Sequence, residues 1–227
     1  MNVYEATQQR LKTVFEQFDN VYVSFSGGKD SGVLLNLCID YIRANKLNRR
    51  IGVFHIDYEA QYQMTTDYVD QVLKQNQDII DVYRICLPIA AQCATSMYQS
   101  YWVPWDKEKL DLWVRDLPGD AIDESNNPFQ WFEKGMWDYD LQEKFGPWFH
   151  AKMGAKKTAC LVGIRTEESL NRWRAVHSDK NQNKFEQHEW TLELFPGVFN
   201  CYPVYDWKVE DVWSATGKQG WLLQSAL

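Results

Sequence analysis

The residues best equipped for chemistry stand in one run, Ser26-Gly27-Gly28-Lys29-Asp30-Ser31, directly after the apolar stretch VYVSF at 21–25. Gly27 and Gly28 let the backbone turn tightly and present N–H groups with no Cβ in the way. Ser26 and Ser31 add hydroxyl donors, and Lys29 adds a full positive charge. A helix starting near Ser31 would aim its unpaired N–H groups and positive dipole end at the same spot. Such a set of donors suits a pyrophosphate. Asp30 is the odd member, because a bare carboxylate repels phosphate. It makes sense if it binds Mg²⁺, directly or through water, or caps the helix. The bland alternative is a Gly-Gly turn with a capping Asp or Ser. Neither the Walker pattern GxxxxGK nor the dinucleotide pattern GxGxxG is present.

Two further stretches carry candidate ligand groups. HIDYEAQY at 55–62 places Asp57 and Glu59 at the end of a second apolar run. From there they can reach a metal or a ribose, or Asp57 can cap the next helix. GIRTEESLNRWR at 163–174 puts Arg165 where a strand ends, with Arg172 and Arg174 beyond it. A guanidinium fork matches phosphate or sulfate oxygens; solvated surface arginines are the alternative.

These groups need elements to position them. Leu11, Val14, Phe15 and Phe18 fall at helical spacing, so an amphipathic helix opens the chain. VYVSF, IGVFHID (51–57), DVYRICLPI (81–89) and TACLVGIR (158–165) read as buried strands. Leu34, Leu37, Cys38, Tyr41 and Ile42 mark a helix after the first of them, and Tyr62, Val69, Val72 and Leu73 one after the second. Strands separated by helices imply βαβ units and a doubly wound, mostly parallel α/β sheet. The loop at 26–31 then lies at the carboxyl end of a strand, where such sheets bind ligands. The rhythm breaks between about 91 and 150, a stretch that with Trp148 holds six of the eleven tryptophans. Disordered linkers are poor in aromatics, so a folded, partly helical insertion is expected within a single domain spanning 1–227. Residues 178–188, the most polar stretch, read as a mobile loop.

Net charge is −7, which argues against direct nucleic-acid binding through overall charge. No apolar run approaches a membrane span, and the start lacks the apolar core of a signal peptide. Five scattered cysteines with no CxxC pair argue for a reducing cytoplasm and against a disulfide framework or a cysteine zinc site.

The run at 26–31 resembles the PP-loop of the ATP pyrophosphatase superfamily. That resemblance implies an adenine-nucleotide α-hydrolase-like fold in which ATP is cleaved between its α and β phosphates to adenylate a substrate. Arg165, Glu167, Ser169 and Arg172 are similar to the GxRxxxSxxR pattern of phosphoadenosine phosphosulfate (PAPS) reductases and their relatives, whose arginines grip the nucleotide's anionic end. YPVYDWKVEDVW (202–213) resembles a segment that follows the sheet in the same branch. There Trp207, Val212 and Trp213 are expected to pack a helix on the core. The insertion SMYQSYWVPWDKEKLDLWVRDLP (96–118) is similar to a subgroup of PAPS reductase-like sulfurtransferases that includes the immunoglobulin-binding regulator A type. The resemblance implies Lys29, Asp30 and Arg165 as catalytic residues. It implies Ser26, Gly27, Gly28, Ser31, Asp57 and Arg172 as further nucleotide contacts, and Asp30 with Asp57 as Mg²⁺ ligands.

PAPS reductases also carry a nucleophilic cysteine near the C-terminus. This chain ends QGWLLQSAL, and its last cysteine, Cys201, precedes the Asp-Trp segment. Reductase turnover by this chain alone is therefore not expected. Members of the subgroup usually continue further, so a truncated or short form is expected. Three functions remain open: an ATP-cleaving adenylating enzyme, a sulfonucleotide-binding relative served by a partner thiol, and a nucleotide-dependent regulator acting through a partner protein.

Overall fold

The computed structural model describes residues 2–93, 97–177 and 183–222. α1 (Val3–Gln17) starts at a reciprocal cap in which Asn2 Oδ1 accepts from the Glu5 N–H and Glu5 Oε2 accepts from the Asn2 N–H. β1 (Asn20–Ser24) runs through the glycine loop into α2 (Lys29–Ala44), followed by β2 (Ile51–Ile56), α3 (Gln63–Gln75) and β3 (Ile80–Ile85). The middle stretch holds a small antiparallel pair, β4 (Ala91–Gln92) with β5 (Tyr101–Trp102), then a 3-10 turn at Lys107–Leu112. β6 (Ala121–Ile122) and α4 (Asp138–Met153) complete it. β7 (Thr158–Val162), α5 (Leu170–His177), β8 (Thr191–Phe195), β9 (Val198–Cys201) and α6 (Val209–Gln219) follow.

The main sheet has the order β6-β3-β2-β1-β7-β9-β8, parallel throughout except for β8, which runs against β9 at the edge. The chain winds from β1 through β2 to β3 and β6, then returns to the other side of β1 with β7. The connections thus diverge between β1 and β7, which opens a crevice at the carboxyl ends of those two strands.

Burial on both faces explains why the central strands read as continuous apolar runs. On one face Val21, Val23, Ile51, Val53 and Leu161 pack against α1, α2, α3 and α6. On the other, Tyr22, Phe54 and Tyr83 meet Leu141, Phe145 and Phe149 of α4, with the Phe54 and Phe145 rings 4.3 Å apart. The doubly wound sheet expected from the sequence is the observed fold. The stretch from about 91 to 150, expected as a folded, partly helical insertion, supplies β6 to the sheet and most of α4 to one of its faces. One detail differs from the sequence reading. Trp207 and Val212 are buried as expected, but Trp213 is exposed, since it lies on the solvent side of α6.

The loop expected at 178–188 lies partly outside the described residues. Its described part is pinned: the Phe185 ring is buried 4.8 Å from that of Phe18, and Lys184 Nζ donates to the carbonyls of Val176 and Glu189. β8 and β9 were not anticipated. The signal was present in the alternation of TLELF and VFNC around Pro196-Gly197.

Candidate nucleotide site at the ends of β1 and β7

Gly28 is the N-cap of α2, so the helix begins at Lys29, two residues before the expected start. The amides from Lys29 to Ser31 have no preceding helical carbonyl to bond. Gly27 sits at φ +81°, and a Cβ there would fall 2.8 Å from Val69 Cγ2 and 3.0 Å from Thr65 Cγ2. Only glycine fits that turn against α3. Serine hydroxyls lock the loop internally: Ser31 Oγ lies 2.9 Å from Ser26 Oγ, accepts from the Ser26 N–H and donates to the Gly28 carbonyl. Asp30 does not cap the helix with its side chain.

β7 closes the other side. A Cβ at Gly163 would stand 3.0 Å from the carbonyl carbon and oxygen of Asp30 and from Ser31 Cα. The absence of that atom lets the first turn of α2 approach the end of β7. Between them lies a cleft of about 530 Å³ lined by Ser26, Gly28, Lys29, Asp30, Ser31 and Arg172, with Tyr139 and Gln142 of α4 as its outer wall. An adjoining cleft of about 450 Å³ shares Ser24, Tyr139, Gln142, Val162 and Ile164 with it. This second space runs over the apolar floor of Tyr22, Phe54 and Val198, and among the described residues Glu143 is the only charged one that lines it. Tyr139 and Gln142 were missed by the sequence reading, since nothing local marks α4 as a wall of the site.

Arg165 occupies a different place from the one expected. Its side chain is only 4% exposed, behind Asp30 rather than in the cleft. Nε donates to Asp30 Oδ1 at 2.9 Å, Nη1 to Glu167 Oε1 at 2.6 Å, and Nη2 faces Glu168 Oε1 at 3.3 Å. Burial alone would lower this guanidinium's pKa, but bonds and charges from Asp30, Glu168 and Glu167 outweigh it and raise the pKa. Glu167 also accepts from the Val209 N–H at 2.7 Å, which ties the arginine segment to the start of α6. Lys29 Nζ sits 3.2 Å from Asp30 Oδ2, and Arg172 pairs with Glu168. The result is a chain of alternating charge, Lys29–Asp30–Arg165–Glu168–Arg172. Its two terminal cations line the cleft, and its centre is buried.

Asp57 is not brought into the cradle. Its side chain is fully buried, with Oδ2 3.0 Å from Arg84 Nε and Oδ1 bonded to Arg115 and to the Glu59 N–H. Glu59, at φ +63°, accepts from the backbone N–H groups of Trp105 and Val114. Trp105 Nε1 donates to the Asp57 carbonyl at 2.7 Å, and the Arg115 guanidinium stacks over the Trp105 ring. The carboxylate pair read as a metal or ribose contact is thus a clamp that fastens the tryptophan-rich stretch to the end of β2. Both Asp57 oxygens are already taken by arginines, so it does not fit a magnesium ion. Both Asp30 oxygens are engaged as well, Oδ1 by Arg165 and Oδ2 by Lys29. But Asp30 lines the cleft and Lys29 is partly exposed, so Oδ2 suits Mg²⁺ carried on a polyphosphate, which needs only one or two protein carboxylates. Among the described residues no group of three or more His, Cys, Asp or Glu side chains is placed to hold a metal.

Cys38, Cys86, Cys160 and Cys201 are buried. Burial pushes the thiol of Cys160, which lines the second cleft, up to about 12. It is no ready nucleophile. Among the described residues no helix is long and apolar enough to cross a membrane.

Residues 20–223 match the family described as the phosphoadenosine phosphosulfate reductase domain. Over 217 residues the chain is 36% identical to the uncharacterized protein YbdN of Escherichia coli (strain K12). The aligned part is 94% of this chain and 51% of that protein, so the chain spans about half the length of this curated relative. Among solved structures, Candida glabrata FMN adenylyltransferase superposes with a TM-score of 0.55 at 12% identity, covering 98% of this chain and 56% of that one. The U34-tRNA thiolase of Methanococcus maripaludis does so at 0.50 and 13%, covering 99% and 66%. At such identities these two likenesses establish the fold. The α/β domain carries its glycine loop at the switch point of the sheet. This chain belongs to the phosphoadenosine phosphosulfate reductase domain family.

Proposed function

We propose that this domain binds an adenine nucleotide with its phosphates in the Ser26–Ser31 cradle and catalyses adenylation of an acceptor. The acceptor attacks the α-phosphorus, the bond to the bridging oxygen of the β-phosphate breaks, and pyrophosphate leaves with the electron pair. The carrying observation is the convergence of the Lys29 ammonium, the first-turn amides of α2 and the Arg172 guanidinium on one cleft. Lys29 and the amides stabilise the charge that grows on the leaving pyrophosphate. Asp30 is the carboxylate that would hold Mg²⁺, which when bound neutralises charge on the phosphate oxygens. Arg165 keeps Asp30 in place, and Arg172 holds the anionic end of the ligand. No side chain is required as a covalent nucleophile, and among the described residues no cysteine lines the phosphate cleft. The adjoining cleft, apolar and nearly uncharged, suits an uncharged part of the nucleotide or acceptor.

The family match also supports a second reading, in which PAPS or another sulfonucleotide occupies the cradle; on that reading the thiol would come from a partner protein. Incubation with ATP and Mg²⁺ separates the two. AMP and pyrophosphate are expected for the first reading. ADP and phosphate contradict it, and PAPS bound without ATP turnover favours the second. A nucleotide effect on partner binding without turnover of either ligand points to a regulator.

A further inference from the structure

The two cations that line the cleft are each already neutralised from within. Lys29 faces Asp30 at 3.2 Å, and Arg172 is bonded to Glu168. The second pair is the more informative, because Glu168 is held from behind. Its Oε1 faces the buried Arg165 Nη2 at 3.3 Å, while Oε2 takes Arg172, whose side chain is 45% exposed and lines the cleft. Arg172 is itself oriented by the start of α5, where its backbone N–H donates to Ser169 Oγ at 3.2 Å. Glu168 is thus fixed on a buried guanidinium and offers its other oxygen to Arg172, which lines the cleft. An exposed i,i+4 pair alone contributes little and exchanges readily. A carboxylate anchored by a buried partner has less freedom to lose when it pairs, so it competes more strongly.

We propose that Glu168 is an internal counter-anion of this site: held by Arg165, it occupies Arg172 until an anionic ligand displaces it. The inference rests on the reading of the cleft as a phosphate site and adds to it. Glu168 keeps affinity for the anionic end moderate, so that a product such as pyrophosphate can leave. Arg165 acts here as a positioning residue, because its three nitrogens are spent on carboxylates.

The test is calorimetric titration of inorganic pyrophosphate into the full chain, Glu168→Gln, Arg172→Ala and the double variant. Removing any carboxylate beside an anion site lifts some repulsion, so the Arg172→Ala background is what separates release of Arg172 from that general effect. Here Glu168→Gln is expected to tighten pyrophosphate about threefold to tenfold, through release of Arg172 and loss of one repulsive charge. In the Arg172→Ala background the gain should shrink by at least half. A Glu168→Gln protein that binds pyrophosphate as the wild type does, or more weakly, overturns the proposal. So does an undiminished gain without Arg172. Circular dichroism and the thermal midpoint establish that each variant is folded. If Glu168→Gln fails to fold, Glu168→Ala takes its place with the same expectation. Failure of the phosphate reading itself looks different: then neither the wild type nor any variant binds pyrophosphate.

Discussion

Substituting Gly163 by alanine tests the contact that brings the two halves of the cleft together. The new Cβ would stand 3.0 Å from three backbone atoms of Asp30 and Ser31, whereas carbon atoms in ordinary contact keep about 3.5–4.0 Å. Backbone cannot rotate aside as a side-chain tip can, so the first turn of α2 and the end of β7 must part by a few tenths of an ångström. Overpacking of this kind costs about 1–3 kcal/mol. In a chain of this size about 2 kcal/mol lowers the thermal midpoint by about 4–8 °C. Because the displaced atoms carry the cradle's amides and Asp30, ATP affinity should fall about tenfold as well, equivalent to ~1.4 kcal/mol. Gly217→Ala is the control. Gly217 lies in α6 with nothing within 4 Å of an added Cβ, and replacing an exposed helical glycine gains about 0.5–1 kcal/mol. Differential scanning calorimetry and isothermal titration would read both quantities. The same substitution should therefore lower the midpoint at 163 and raise it at 217. A Gly163→Ala protein as stable as the wild type, with undiminished ATP affinity, would refute the packing argument.

Asp57→Asn removes the charge opposite Arg84 and Arg115 in a buried clamp, so it should cost about 3 kcal/mol in urea denaturation. An unchanged midpoint would restore Asp57 as a candidate ligand residue. His55 is buried, with Nδ1 2.7 Å from the Phe25 carbonyl, and desolvation lowers its pKa below the ordinary value. The unfolded chain therefore binds the proton more readily, and stability falls as pH drops below about 6.5, by up to ~1.4 kcal/mol per unit. His55→Gln should flatten that limb of the stability profile; an unchanged slope would contradict it. Cys38, Cys86, Cys160 and Cys201, raised by burial, should resist a thiol reagent at pH 8 in the native protein and react at once in denaturant. Fast native labelling of Cys160 would speak against a closed second cleft floor.

The cradle was legible in the sequence because its parts are local: two glycines, a lysine and two serines between an apolar strand and an amphipathic helix. The sheet was legible because strands buried on both faces must be continuously apolar. Burial hid the rest. Arg165 has the right residue type at a strand end, but three carboxylates, Asp30 from α2 and Glu167 and Glu168 from its own segment, hold it behind the site. Which carboxylates converge is a matter of tertiary packing that spacing does not encode. Asp57 was misread for the same reason, since its partners come from β3 and from the tryptophan-rich stretch. Tyr139 and Gln142 carried no motif at all. They line the cleft only because α4 crosses the sheet face beside β1 and β7.

Titration of ATP with Mg²⁺ into the wild type and into Lys29→Ala addresses the cradle most directly. Saturable one-to-one binding by the wild type is expected, weakened at least tenfold without the ammonium, in line with the loss of a charge-assisted contact to phosphate. An absence of binding by the wild type, or identical isotherms for the two proteins, would contradict the placement of phosphates at this loop.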